Sequence, residues 1–182
     1  STTLGPDVNY RLETLVPVVS RAASMLIEAL ETGHKVLLFG NGGSAADSQH
    51  IAAELVGKLA VKRRALAAIA LTTDTSNLTA LGNDFGYEVI FQRQVEALGR
   101  EGDVAIGIST SGNSSNVLTA VRTARALGLK TLGLTGCGGG VLAGLVDCPI
   151  VVPSDNTQRI QEAHITIGHI LCELIEARFT GR

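Results

Sequence analysis

KVLLFGNGGSAADSQHIAAEL, residues 35–55, runs an apolar segment into a glycine-rich turn and then into a stretch with helical spacing. From Val36 to Phe39 the segment has no polar face, as in a parallel strand covered by helices on both sides. A strand that ends in such a turn and opens a helix begins a βαβ unit. The alternation recurs: residues 67–71, 104–108, 131–134 and 150–152 read as further buried strands, with amphipathic stretches at 45–59, 91–98 and 117–127 between them. Upstream, Leu15, Val18, Val19, Ala22, Leu26 and Leu30 recur at helical spacing, with Gly33 placed to end that helix. A final long helix is expected from about Thr157 to Phe179. Strands alternating with helices imply a single α/β domain spanning residues 1–182, built on one doubly wound parallel sheet of about five strands.

Composition narrows the function classes. A chain of 182 residues suits one domain, and 45% hydrophobic residues with only 3% aromatic ones require an aliphatic core. The formal charge of −2 leaves no basic footprint for nucleic acid or for an acidic membrane surface. Cys137, Cys148 and Cys172 are odd in number and lack CxxC spacing, so a disulfide framework is not expected, and a reducing, cytoplasmic location is. The opening STTLGPDVNYRLETL has neither the basic start nor the apolar stretch of a signal peptide. The first and last helices exceed a minimal doubly wound core, which predicts burial of the N-terminal helix between subunits of a homo-oligomer.

Two segments are candidates for binding an anion. Gly40-Asn-Gly-Gly-Ser-Ala45 and Ser109-Thr-Ser-Gly-Asn-Ser114 each follow a strand and open a helix. In an open α/β sheet, ligands bind beyond the carboxyl ends of strands, and amides at a helix N-terminus favour negative charge. The hydroxyls of Ser109, Thr110, Ser111 and Ser114 can donate to phosphate oxygens, although Ser114 could equally cap its helix. Neither turn matches G-x-G-x-x-G or GxxxxGK[ST], so a nucleotide is not indicated. On the helix after the first turn, His50 and Glu54 stand four residues apart and share a face. The last helix carries Gln161, Glu162, His164 and His169. At about 100° per residue, His169 lies roughly 80° from Gln161, and His164 about 60° away on the other side. Gln161 with either histidine could therefore join His50 and Glu54 in a set suited to a divalent ion such as zinc. His34 reads as a solvated loop residue, and Cys137 in its GCGGG turn as a tolerated small one.

GNGGSAADSQHIAAEL, LGNDFG, GREGD, ISTSGNS and RIQEAHITIGHIL, taken together and in this order, resemble the phosphoheptose isomerases of the sugar isomerase (SIS) fold. The resemblance covers nearly all of the chain beyond its first helix. It implies conversion of D-sedoheptulose 7-phosphate to D-glycero-D-manno-heptose 7-phosphate, early in bacterial heptose synthesis. It also implies a homotetramer with active sites between subunits and one zinc ion per subunit. The implied zinc ligands are His50, Glu54, Gln161 and His169, which selects His169 over His164. The implied substrate contacts are Asn41, Gly42, Gly43, Glu54, Asn83, Asp84, Ser109, Thr110, Ser111, Ser114 and Gln161. Gln158 stands where some members carry an acid. Aldose–ketose isomerisation needs a base for the carbon-bound proton and an acid at the adjacent oxygens, roles that fall to Glu54 and His169. Two other readings compete: an isomerase of another phosphosugar, and a non-catalytic SIS regulator that binds the replication initiator protein. Those regulators lack the glutamate that stands here as Glu54.

Overall fold

The computed structural model describes residues 13–181, so most of the opening segment read for a leader lies outside it. Five strands, β1 (Val36–Gly40), β2 (Ala68–Ala70), β3 (Val104–Ser109), β4 (Lys130–Thr135) and β5 (Cys148–Val151), form one parallel sheet in the order β2-β1-β3-β4-β5. Seven α-helices surround it: α1 (Val16–Glu31), α2 (Gly43–Val56), α3 (Thr75–Phe85), α4 (Gln92–Leu98), α5 (Ser115–Ala126), α6 (Gly140–Leu145) and α7 (Thr157–Thr180). Each expected strand is present, with ends shifted by one or two residues.

Side-chain alternation explains the two layers. Val36 and Leu38 of β1 face a cluster with Leu26 and Leu30 of α1, Ile51 and Leu55 of α2, and Ile167 and Leu171 of α7. Leu37 and Phe39 face the opposite cluster, with Val95 of α4, Val117 and Val121 of α5, and Leu142 of α6. Every residue of β1 and β3 is buried, so both strands are apolar until β3 ends in Ser109. Removing one such side chain, as in Leu38→Ala, costs about 2–5 kcal/mol.

The N-terminal helix packs largely within its own subunit. Val19, Ala22, Ala23, Leu26, Ala29 and Leu30 are buried against the chain's own sheet and α7, so the main apolar face of α1 is satisfied within the subunit. What remains is an apolar groove of about 340 Å³ between α1 and α7, lined by Leu15, Val16, Val19, Ile167, Ile170 and Leu174 among others. All three cysteines are free; burial pushes the thiol of Cys172 up to about 12, so it stays protonated in the core. No helix among the described residues is long and apolar enough to cross a membrane.

Candidate active site

Strands β1 and β3 are neighbours, pairing from Val36 with Val104 to Gly40 with Ile108, yet their chain connections leave in opposite directions along the sheet. The order reverses between them, and a ligand crevice opens at such a switch point. The two anion-type turns therefore lie side by side. They are tied by a reciprocal amide pair: Asn41 Nδ2 donates to Asn116 Oδ1 and Asn116 Nδ2 donates to Asn41 Oδ1, both at 2.9 Å. Tyr87 donates its hydroxyl to the same Asn41 oxygen at 3.0 Å. The Asn41 side chain is thus engaged in holding the two turns together, beside a cavity of about 100 Å³ that Gly40, Asn41, Thr72 and Tyr87 help to line.

In the second turn, Ser109 and Ser114 share a hydrogen bond of 2.9 Å between hydroxyls, and the Ser111 hydroxyl accepts from the Asn113 amide at 3.2 Å. Ser114 occupies the N-cap position of α5 but its side chain caps no helix amide. The first-turn amides of α5 are left for another acceptor, which favours the anion role over the capping role. Thr110 anchors the turn by accepting from the Gly136 amide at 3.0 Å, and the Val141 amide donates to Asn113 Oδ1 at 3.0 Å.

The first turn opens α2 through Gly42, whose φ of 56° lies in the left-handed region. Gly43 has a different reason to lack a side chain. A Cβ there would lie 2.5 Å from Gln161 Nε2, so the amide of Gln161 rests directly on the start of α2. About two helical turns, or 10 Å, further along α2 stands His50, and one turn beyond it Glu54. His50 Nε2 lies 2.9 Å from His169 Nε2 and 3.3 Å from Glu54 Oε1. Ligand atoms of His50, Glu54 and His169 all fall within 4.8 Å of one another. Glu54 Oε2 is buried with no hydrogen-bond partner. Two imidazole nitrogens facing each other beside an unpartnered carboxylate oxygen form a donor set that fits a divalent cation.

The structure separates the two histidines of α7. His164 is fully buried, with Nε2 3.2 Å from the Thr135 carbonyl and Nδ1 unpartnered. Burial lowers its pKa to about 4, against the smaller opposing effect of the Thr135 bond, so it is neutral and faces the sheet. His169 alone reaches the cluster. Asn83 and Asp84 end α3, exposed, with Asn83 Nδ2 donating to Asp84 Oδ1 at 2.7 Å. His34 lies in the loop before β1, half-buried, with its Nδ1 3.6 Å from Asp103 Oδ1. Cys137 holds a φ of 48°, a conformation few non-glycine residues adopt.

Three polar residues near the site were missed in sequence. Asn116 and Tyr87 carry the tether between the turns, and a buried asparagine two residues past Ser114 was the signal available for the first. Asp47 lies one turn before His50; burial raises its carboxyl pKa, against the opposing influence of His50, and its Oδ2 has no partner.

A SIS-domain family model matches residues 8–136. A phosphoheptose isomerase of Geotalea daltonii is 57% identical over 169 residues, covering 93% of this chain and 88% of that protein. One from Aquifex aeolicus is 63% identical over 154 residues, covering 85% and 81%. The solved phosphoheptose isomerase of Neisseria gonorrhoeae superposes with a TM-score of 0.88 at 46% identity, covering 93% of this chain and 90% of its own.

Proposed function

The chain belongs to the phosphoheptose isomerases of the SIS-domain family, and we propose from this that its switch-point crevice isomerises a seven-carbon sugar phosphate with a bound divalent metal. The reaction is the interconversion of D-sedoheptulose 7-phosphate and D-glycero-D-manno-heptose 7-phosphate, on the way to bacterial heptose. One observation carries the reading for this chain: a carboxylate and two imidazoles converge about two to three helical turns from a pair of turns suited to phosphate. Glu54, which the non-catalytic relatives lack, is a member of that convergence.

Ser109, Thr110, Ser111, Ser114 and the α5 N-terminus hold the phosphate. The Asn41–Asn116 pair keeps the two turns at a fixed separation. The C1–C2 end of the sugar then extends along α2, past Gln161 at its start, toward His50, Glu54 and His169. When bound there, zinc supplies positive charge that polarises the oxygens on C1 and C2. Glu54 takes a proton from C1 of the ketose while His169 gives one to O2, leaving an enediol. Glu54 returns its proton to C2 and His169 accepts the one on O1, which yields the aldose. The two oxygens of Glu54 differ in surroundings: Oε1 lies 3.3 Å from His50 Nε2, and Oε2 is buried without a partner.

Assembly into a cytoplasmic homotetramer, with sites completed between subunits and one zinc per subunit, fits three features. The His50 side chain is 49% exposed, Asn83 and Asp84 are exposed at the end of α3, and the α1–α7 groove is apolar. The test is a coupled assay with sedoheptulose 7-phosphate, run with and without a chelator, on the parent and on Glu54→Gln. The parent should turn over and lose activity to the chelator. The variant should retain metal and bind the sugar while turning over about a hundredfold slower or worse. A metal-loaded variant with the parent rate would remove Glu54 from the role of base.

A further inference from the structure

Helices α2 and α7 run side by side in the same direction, touching first where Gln161 rests on Gly43. In the middle, a Cβ on Gly168 would lie 2.7 Å from Ile51 Cδ1, so the absence of a side chain there sets a close approach beside His169. Next to it comes the His50–His169 contact at 2.9 Å. A polar lock closes the far end. Glu176, only 4% exposed, accepts hydrogen bonds from the amides of Leu59, Ala60 and Val61 at 3.0, 2.9 and 2.7 Å. These residues belong to the segment by which the chain leaves α2.

Arg63, on the same segment, has a side chain only 2% exposed. Its Nη2 donates to the carbonyl of Glu54 at 2.7 Å, and its Nη1 to those of Leu55 at 2.8 Å and Gly57 at 3.3 Å. The guanidinium thereby satisfies carbonyls that a helix end leaves unpaired, one of them belonging to Glu54 itself. Arg63 Nε also lies 3.9 Å from Glu176 Oε2. His169 and Glu176 are seven residues apart on α7, about 20° short of two full turns, and so lie on one stripe facing α2. Burial disfavours the charged carboxylate of Glu176, but the three amides and Arg63 outweigh it and hold the group below the usual carboxylate range.

A buried ion pair is a poor source of net stability, and well-packed apolar residues commonly replace one without loss. Its value here is geometric. We propose that Glu176 and Arg63 are positioning residues that fix the approach of α7 to the end of α2. They thereby set the spacing of His169 against His50 and Glu54. The proposal rests on the metal-site reading above.

Glu176→Gln keeps the size but places an amide N–H where a backbone amide needs an acceptor. Arg63→Lys keeps the charge but loses the planar fork that spans several carbonyls. Arg178→Ala is the control, because it breaks a 2.6 Å contact of α7 with Glu31 on α1 and leaves the α2 side intact. Zinc affinity is read by competition with a chromophoric chelator, alongside kcat and KM for sedoheptulose 7-phosphate at saturating zinc. Thermal unfolding of the metal-free proteins confirms that each is folded. Both brace variants should lose about tenfold or more in zinc affinity, the scale seen when groups supporting metal ligands are removed. Their kcat should fall with KM little changed, while Arg178→Ala binds zinc as the parent does. If Glu176→Gln does not fold, Arg63→Lys decides. Folded brace variants that bind zinc within twofold of the parent overturn the proposal, as would an equal loss in Arg178→Ala. A parent that binds no zinc removes the metal reading and the brace together. A tight-binding parent with unaffected variants removes the brace alone.

Discussion

Gly43→Ala separates the chemistry of the site from the stability of the fold. Gly43 is the first residue of α2 and is absent from the positions with positive φ, so alanine suits its backbone. Helix propensity alone favours the substitution by up to about 1 kcal/mol. The new methyl would nevertheless sit 2.5 Å from Gln161 Nε2 and 3.0 Å from its Cδ, where ordinary contact begins at 3.4 Å. Gln161 must therefore retreat by about 1 Å, a displacement that can cost about a hundredfold when it disturbs a reacting constellation. The expected result is a melting temperature equal to or above the parent's, with kcat/KM lower by about 10- to 100-fold. Thermal unfolding and the coupled isomerase assay, run on one preparation, read both quantities. Because the methyl also points toward the expected path of the substrate, the same change is made in a Gln161→Ala background. There the added loss should shrink to a few-fold if Gln161 transmits the effect. Parent-like kcat/KM in the single variant would refute the placement of Gln161 at the working site.

Ser111→Ala should weaken phosphosugar binding by about 10- to 100-fold, the equivalent of one hydrogen bond to a charged acceptor at about 1.5–3 kcal/mol, with the fold intact by circular dichroism; unchanged affinity would count against the second turn as the phosphate site. His164 makes stability depend on pH: its folded pKa is depressed from 6.5 to about 4, so the stabilisation is complete above about pH 6.5 and is lost as pH falls toward 4. At 1.36 kcal/mol per unit this amounts to about 3 kcal/mol, and urea unfolding between pH 7 and 4.5 should show a slope that His164→Gln flattens. Light scattering should find an oligomer held through the apolar α1–α7 groove; a stable, fully active monomer would exclude that assembly.

The central strands were legible because burial on both faces leaves a continuous apolar run, as Val36 to Phe39 show without any partner. Helices α1, α2, α5 and α7 were legible because each buries a stripe of four or more residues. Helix α3 was not, for the converse reason. None of its residues is fully buried: Leu78 and Leu81 are part-buried against the second cluster, a stripe too short to stand out, and the start of the helix is set by the Asp74 side chain accepting from the Asn77 amide at 2.9 Å. Helix α6 contributes Leu142 alone to the core and begins inside a glycine run, which reads as a turn. Periodicity reports burial, and an exposed helix escapes it.

The site divides along the same line. His50 and Glu54 were paired by local spacing, four residues apart on one helix, and needed no tertiary information. The choice between His164 and His169 could not be made that way, because both flank Gln161 and only packing distinguishes them. His164 turns to the Thr135 carbonyl at the end of β4, while the close approach at Gly168 brings the next residue, His169, against α2. The tether of Asn41 to Asn116 joins residues 75 apart in sequence and depends on β1 and β3 being neighbours, a property of the strand order rather than of either turn. The two levels are coupled through one element. Helix α2 starts at the first of the two adjoining turns and carries His50 and Glu54, so the register of a single helix sets the distance between those turns and these two side chains. In the proposed reaction, substrate and side chains must together span about 16 Å of helix rise, from Gly43 to Glu54 at 1.5 Å per residue, for the reacting carbons to meet Glu54 while the phosphate stays in place.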